Sequence, residues 1–169
     1  SDEIGKVSAS ALKYNPLFWL LAYKRFTHLE SNLKNVRLIA ISKFVHGLLK
    51  RNYNLESKIV PNFVEVPENV RRKRTELPVV TYLGALAEHK GAKVLVQASK
   101  GLRCKVHIYG AGPIRRKLEG MIKKLGVDIK IFDPVPAEKV KEIYSSAAIV
   151  VFPSLWPEPF GRIPLETLA

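Results

Sequence analysis

Sulfur is scarce in this chain. Its 169 residues hold one cysteine, Cys104, and one methionine. A lone cysteine excludes a disulfide framework and a cysteine-built metal cluster. Cys104 falls in a stretch that reads as a strand, so the thiol reads as core packing. The four histidines, His28, His46, His89 and His107, stand at no metal-ligand spacing. Long apolar runs are missing as well. The longest near the start, PLFWLLAY over residues 16–23, is far short of the roughly 20 residues that span a bilayer. No secretory leader is evident. The expected location is therefore the cytoplasm, or the inner face of its membrane.

Acidic residues are in short supply: 15 against 28 Lys and Arg, for a net charge of +13. Residues 1–75 carry +8 of that and residues 76–169 carry +5. Charge alone would favour a nucleic-acid-binding domain. Such a domain concentrates its charge on one face with aromatics interleaved, and here the excess is spread out. No specific nucleic-acid partner is expected. A basic surface also suits anionic membrane headgroups, hence peripheral membrane contact, or a pyrophosphate-bearing substrate. What the chain does have is apolar substance. At 47% hydrophobic it can build a core and is no disordered tail.

Residues 8–30 have the apolar spacing of a long basic amphipathic helix, one that packs on a core or lies on a membrane. Residues 36–41 (VRLIAI) read as a strand. Ser42 is placed to cap a helix through about Lys50. Residues 58–60 read as another strand, closed by Pro61-Asn62. Residues 61–77, with prolines and the run Arg71-Arg72-Lys73-Arg74, read as a linker. From Pro78 a regular alternation begins. Strands are expected at 79–83, 105–109, 128–132 and 148–152, and helices at about 90–99, 113–124 and 136–146. Strand-helix alternation with apolar strands means a parallel, Rossmann-like α/β sheet with helices on both faces. Ligands of such sheets bind beyond the carboxyl ends of the strands. Gly84, the Gly110–Gly112 turn and Glu158 all lie there.

The stretch VFPSLWPEPFGRIPLE, residues 151–166, carries the most chemistry. Prolines at 153, 157, 159 and 164 forbid a continuous helix. Glu158 is thus expected on a rigid loop after a strand. Pro164 suits the first turn of a helix, which would place Glu166 in that turn. Exposed N–H groups at such a start favour an anion. The plain alternative is a Pro-rich turn whose glutamate only complements a helix terminus.

Glu158-Pro159-Phe160-Gly161 followed by Leu165-Glu166 resembles the paired-glutamate signature of the family-4 retaining glycosyltransferases of GT-B fold. Other stretches resemble the same family, in the same order: IAISKFV (39–45), KIVPNFVEV (58–66), TYLGALAEHKG (81–91), HIYGAGPIRRKLE (107–119) and IYSSAAIVVFPS (143–154). The resemblance implies that residues 1–60 end the acceptor-side domain and that 61–77 link it to a donor-binding domain at 78–169. It implies that this second domain is truncated at its C-terminus, so that the piece alone is inactive. The implied reaction takes a sugar from a nucleoside-diphosphate sugar, with no cofactor or metal, to a glycan, lipid or small-molecule acceptor. Glu158 would meet the donor sugar and Glu166 the ribose. Lys90 would neutralise the departing diphosphate. Gly84, Gly110, Gly112, Phe160, Gly161 and Arg162 would line the donor. Two positions depart from the family: Ala85 stands where an arginine is usual, and Pro134 where a glycine is. The lost arginine leaves a second reading open, a non-catalytic nucleotide-sugar-binding module.

Overall fold

A computed structural model describes residue 33, residues 36–66 and residues 76–169. The amphipathic segment 8–30 and the basic run Arg71–Arg74 lie outside the described residues. The chain divides into two compact units, Ser1–Pro61 and Asn62–Ala169.

In the first unit, β1 (Leu38–Ala40) pairs in parallel with β2 (Ser57–Ile59), Ala40 opposite Ile59. Between them runs α1 (Lys43–Tyr53). Ser42 caps it as its side chain foretells: the hydroxyl accepts from the Val45 N–H at 3.1 Å. The helix continues three residues past the expected end, to Tyr53, and Asn54 caps it. That residue takes the left-handed conformation (φ 52°) and donates its N–H to the Lys50 carbonyl.

The second unit holds a parallel sheet in the order β5-β4-β3-β6. Its strands are β3 (Val79–Leu83), β4 (Lys105–Tyr109), β5 (Ile129–Phe132) and β6 (Ile149–Val150). Its helices are α2 (Ala92–Ala98), α3 (Arg115–Leu125), α4 (Ala137–Ser146) and α5 (Arg162–Leu168). The crossovers through α2 and α3 step from β3 to β4 to β5. The crossover through α4 steps back past β3 to β6. Right-handed crossovers that run in opposite directions put their helices on opposite faces. The packing agrees. Val80, Tyr82, Val106 and Ile108 join Leu95, Val96 and Leu118 in one cluster under α2 and α3. Thr81 faces the other way and is equally buried, where α4 packs on β3.

Three expectations shift. The helix expected from Lys90 is broken: a 3-10 turn, Glu88–Lys90, ends at Gly91, and α2 starts only at Ala92. The strand expected at 148–152 is shorter: Ile149 and Val150 stand in register with β3, Ala148 and Val151 donate their N–H groups to Val79 and Thr81, and the chain beyond turns to meet the 3-10 turn. Cys104 precedes β4 rather than lying in it, and packs half-buried against the core.

Candidate functional site

The strand order reverses beside β3. The chain leaves β3 toward β4, and β6 pairs along the opposite side. Loops that leave the carboxyl ends of β3 and β6 therefore diverge, and open the crevice where parallel α/β sheets bind ligands. Lys90 lies on the segment after β3 and Glu158 on the segment after β6. Their side chains meet across 68 positions of sequence, with Lys90 Nζ 2.5 Å from Glu158 Oε1. The two side chains are 26% and 16% exposed. That separates this contact from an ordinary surface ion pair, which water leaves nearly worthless.

Backbone packing sets that meeting. Gly91 has φ 75°, and a Cβ there would lie 1.8 Å from the Pro153 carbonyl oxygen. Only glycine lets the β3 segment approach the β6 loop this closely. The Leu155 N–H then donates to the His89 carbonyl at 2.9 Å. On the other side, a Cβ on Gly110 would lie 1.9 Å from the Gly84 carbonyl oxygen. The Leu86 N–H donates to the Ala111 carbonyl at 2.8 Å, and the Ile114 N–H to the Leu86 carbonyl at 3.2 Å. Tyr82, buried beneath, donates its hydroxyl to the Ala85 carbonyl at 2.9 Å. Three loops are thus tied to each other through main-chain groups.

Electrostatics reinforce the geometry. Burial pushes the Glu158 carboxyl up. Hydrogen bonding from Lys90, Trp156 and Ser154, together with the Lys90 charge, outweighs it and leaves the group below the usual carboxylate range. Burial and then the nearby Glu158 charge push the Tyr82 hydroxyl up to about 12. The site therefore holds an ionised carboxylate against an ammonium, with a neutral phenol behind.

The structure brings together Lys90 and Glu158, and separately Gly84, Gly110 and Gly112; a Cβ on Gly112 would lie 2.3 Å from the Leu86 carbonyl oxygen. Phe160 is half-buried, and Gly161 precedes α5 with φ 78°. Glu166 is placed differently from expectation. α5 begins at Arg162, two residues before Pro164, so Glu166 lies beyond its first turn. Pro164 is tolerated at the third helical position because first-turn N–H groups have no intrahelical partner. Glu166 is held by the Tyr144 hydroxyl, which donates to Oε2 at 2.9 Å, and by Arg162 at 3.1 Å. It lines a groove of about 1150 Å³ beside α4 and β6, with Phe63, Val66, Tyr144 and Leu168. Ala85 is exposed and places no cation at its turn.

Four contributors escaped the sequence reading. Gly91 could have been suspected from the Lys-Gly pair. Ser154, four residues before Glu158, donates to its Oε1 at 2.9 Å. Trp156 and His89 carry no local signal, because their contacts form only when the two loops meet. Among the described residues no cluster of three or more His, Cys, Asp or Glu is placed to hold a metal. No helix among them is long and apolar enough to cross a membrane.

Known proteins of similar sequence and fold are glycosyltransferases. An uncharacterized glycosyltransferase of Methanocaldococcus jannaschii is 34% identical over 97 residues, which are 54% of this chain and 25% of that protein. A second from the same organism is 22% identical over 134 residues, 79% of this chain and 37% of that one. Among solved structures, Anabaena Alr3699/HepE in complex with UDP and glucose superposes with a TM-score of 0.66 at 18% identity, over 78% of this chain and 41% of that one. WaaG, a glycosyltransferase involved in lipopolysaccharide biosynthesis, also gives 0.66, at 19% identity and the same coverage. The chain thus spans a quarter to about two fifths of these four proteins. The structural likeness identifies the fold as the Rossmann-like domain of a GT-B glycosyltransferase. The profile of the glycosyl transferases group 1 family matches residues 65–169, which contain the whole sheet, Lys90 and Glu158, and the chain belongs to that family.

Proposed function

We propose that this chain is the donor side of a family-4 retaining glycosyltransferase that draws on a nucleoside-diphosphate sugar. The observation that carries the reading is the Lys90–Glu158 pair at the reversal of strand order. An ion pair at that position holds one cation and one acceptor ready for exchange. The donor diphosphate takes the ammonium, and hydroxyls of the donor sugar donate to the carboxylate. As the bond from the anomeric carbon to the diphosphate breaks, negative charge builds on the leaving group, and Lys90 is the side chain that answers it. Backbone groups of Gly84, Gly110, Gly112, Phe160, Gly161 and Arg162 line the donor. Glu166, oriented by Tyr144, takes the ribose hydroxyls. UDP in the Anabaena structure supports a uridine donor as the first to try. Residues 1–60 end the acceptor-side domain and 78–169 form the donor domain. The acceptor is a glycan, lipid or small molecule. The +13 charge favours work at an anionic membrane on the cytoplasmic side, which co-sedimentation with phosphatidylglycerol but not phosphatidylcholine vesicles would support.

The test is a pair of substitutions in the full-length protein that carries this chain. In Glu158→Gln, transfer should fall on the order of 100-fold, far more than donor affinity, since the interaction strengthens in the transition state. In Glu166→Gln, donor affinity should fall together with rate, because the ribose does not change during reaction. Equal, small effects at both positions sink the donor-site assignment. Ala85 favours a second reading, a non-catalytic binding module. A full-length protein that binds UDP yet neither transfers nor hydrolyses a UDP-sugar would establish it.

A further inference from the structure

Resting on that reading of the donor site, we infer that Trp156 is a positioning residue for Lys90. Its ring faces the Lys90 ammonium, with Nζ 5.6 Å from the ring centroid. That is within the distance at which a cation is drawn to an aromatic face. The indole is itself fixed from behind. His89 meets it edge-on, with centroids 5.3 Å apart and planes at 64°. The neighbouring Leu155 N–H holds the His89 carbonyl at 2.9 Å. Trp156 is nevertheless 46% exposed and belongs to no core cluster. An exposed tryptophan that is braced by a histidine, faces the Lys90 ammonium and hydrogen-bonds Glu158 has a local task at this pair, not a packing one.

The task follows from what donor binding must do. In this structure the ammonium is held by Glu158. A diphosphate draws it away, and a Lys stem with four rotatable bonds would then wander. The indole face attracts the ammonium without competing for its N–H donors, and it stays in place because the same side chain hydrogen-bonds Glu158. Lys90 can turn from the carboxylate to the phosphate while it keeps the ring as a wall. The side chain at 85 offers no guanidinium to share the phosphate, so the placement of this one lysine weighs more.

The experiment is a double-mutant cycle on the full chain, with UDP as the probe and calorimetry as the readout. Trp156→Leu removes the π face and keeps an apolar side chain; Trp156→Phe keeps a π face. Trp156→Leu should weaken UDP binding about 2- to 30-fold, the range that cation–π attraction supplies, and Trp156→Phe measurably less. In a Lys90→Met background the same Trp156→Leu change should have no further effect. Thermal midpoints of both Trp156 variants should stay within about 2 °C of wild type, as for a surface position. In a Trp19→Phe background, Trp156 is the one tryptophan of the chain, and UDP should shift its fluorescence only while Lys90 is present. Additive losses for Lys90→Met and Trp156→Leu, or equal losses for Leu and Phe, overturn the positioning role and leave the donor site standing. Wild-type chain that binds none of UDP, ADP and GDP overturns both.

Discussion

Gly91→Ala tests the joint on which the site depends. A Cβ at this position would sit 1.8 Å from the Pro153 carbonyl oxygen and 2.7 Å from its carbon, at a backbone φ of 75°. Two costs arise. An L-residue with a side chain in the left-handed region costs about 1–2 kcal/mol. Relieving a contact that is roughly 1.5 Å too short means backbone displacement, at about 1–3 kcal/mol more. Together they amount to about 2–5 kcal/mol, which lowers the thermal midpoint of a unit this size by about 10 °C or more. If the strain is released by separating the two loops instead, Lys90 and Glu158 part and UDP affinity falls. Two other glycines calibrate the result. Gly101 has φ 81° with nothing near its would-be Cβ, so Gly101→Ala carries the conformational cost alone. Gly120 lies in α3 with open space around it, so Gly120→Ala should stabilise by about 0.5–1 kcal/mol. Circular dichroism melts and UDP calorimetry read the series. A Gly91→Ala chain that melts and binds like Gly101→Ala would refute the close approach of the two loops.

The Glu158 carboxyl is held below its ordinary range, so its contribution to stability is fully present above the unfolded value of about 4.3. It is lost as pH falls through the lower folded value; the stability gap between wild type and Glu158→Gln should be flat from pH 5 to about 8 and close only in stronger acid. A gap that changes between pH 5 and about 8 would contradict the sign of the shift. Tyr144→Phe removes the donor to Glu166 and should cost about 1 kcal/mol, with a loss of donor affinity that disappears in a Glu166→Gln background; additivity of the two would speak against Tyr144 as the residue that orients Glu166. Leu118 is fully buried, so Leu118→Ala should cost about 2–5 kcal/mol in chemical denaturation, and under 1 kcal/mol would misplace α3.

Local signals carried far where the physics is local. β3 and β4 have the expected bounds, because each is a β-rich run of five residues that a glycine ends. Ser42 could be read as a cap because capping is settled within three residues. Local signals failed where a distant segment decides. The helix expected from Lys90 ignored Gly91, whose left-handed backbone is imposed by Pro153, 62 positions away. β6 is shorter than its apolar run because the residues after Val151 bond to the His89 segment and not to β3. Pro164 suggested a helix start, yet the helix begins at Arg162, after Gly161, whose positive φ sets the turn.

The same division explains the site. Residue types were legible, since a lone loop glutamate and a Lys-Gly pair at strand ends already suggest anion chemistry. Partners were not. The Lys90–Glu158 contact joins loops from strands that are neighbours only because β6 crosses back to the side of β3 that β4 does not occupy. Had Lys90 opened a continuous helix, its side chain would share the face of Val94 rather than turn toward β6. Gly91 ends the 3-10 turn one residue after Lys90. That break separates the direction of the lysine from the direction of α2. It is what allows one side chain to answer to Glu158, to Trp156 and, on the reading proposed here, to a diphosphate arriving between them.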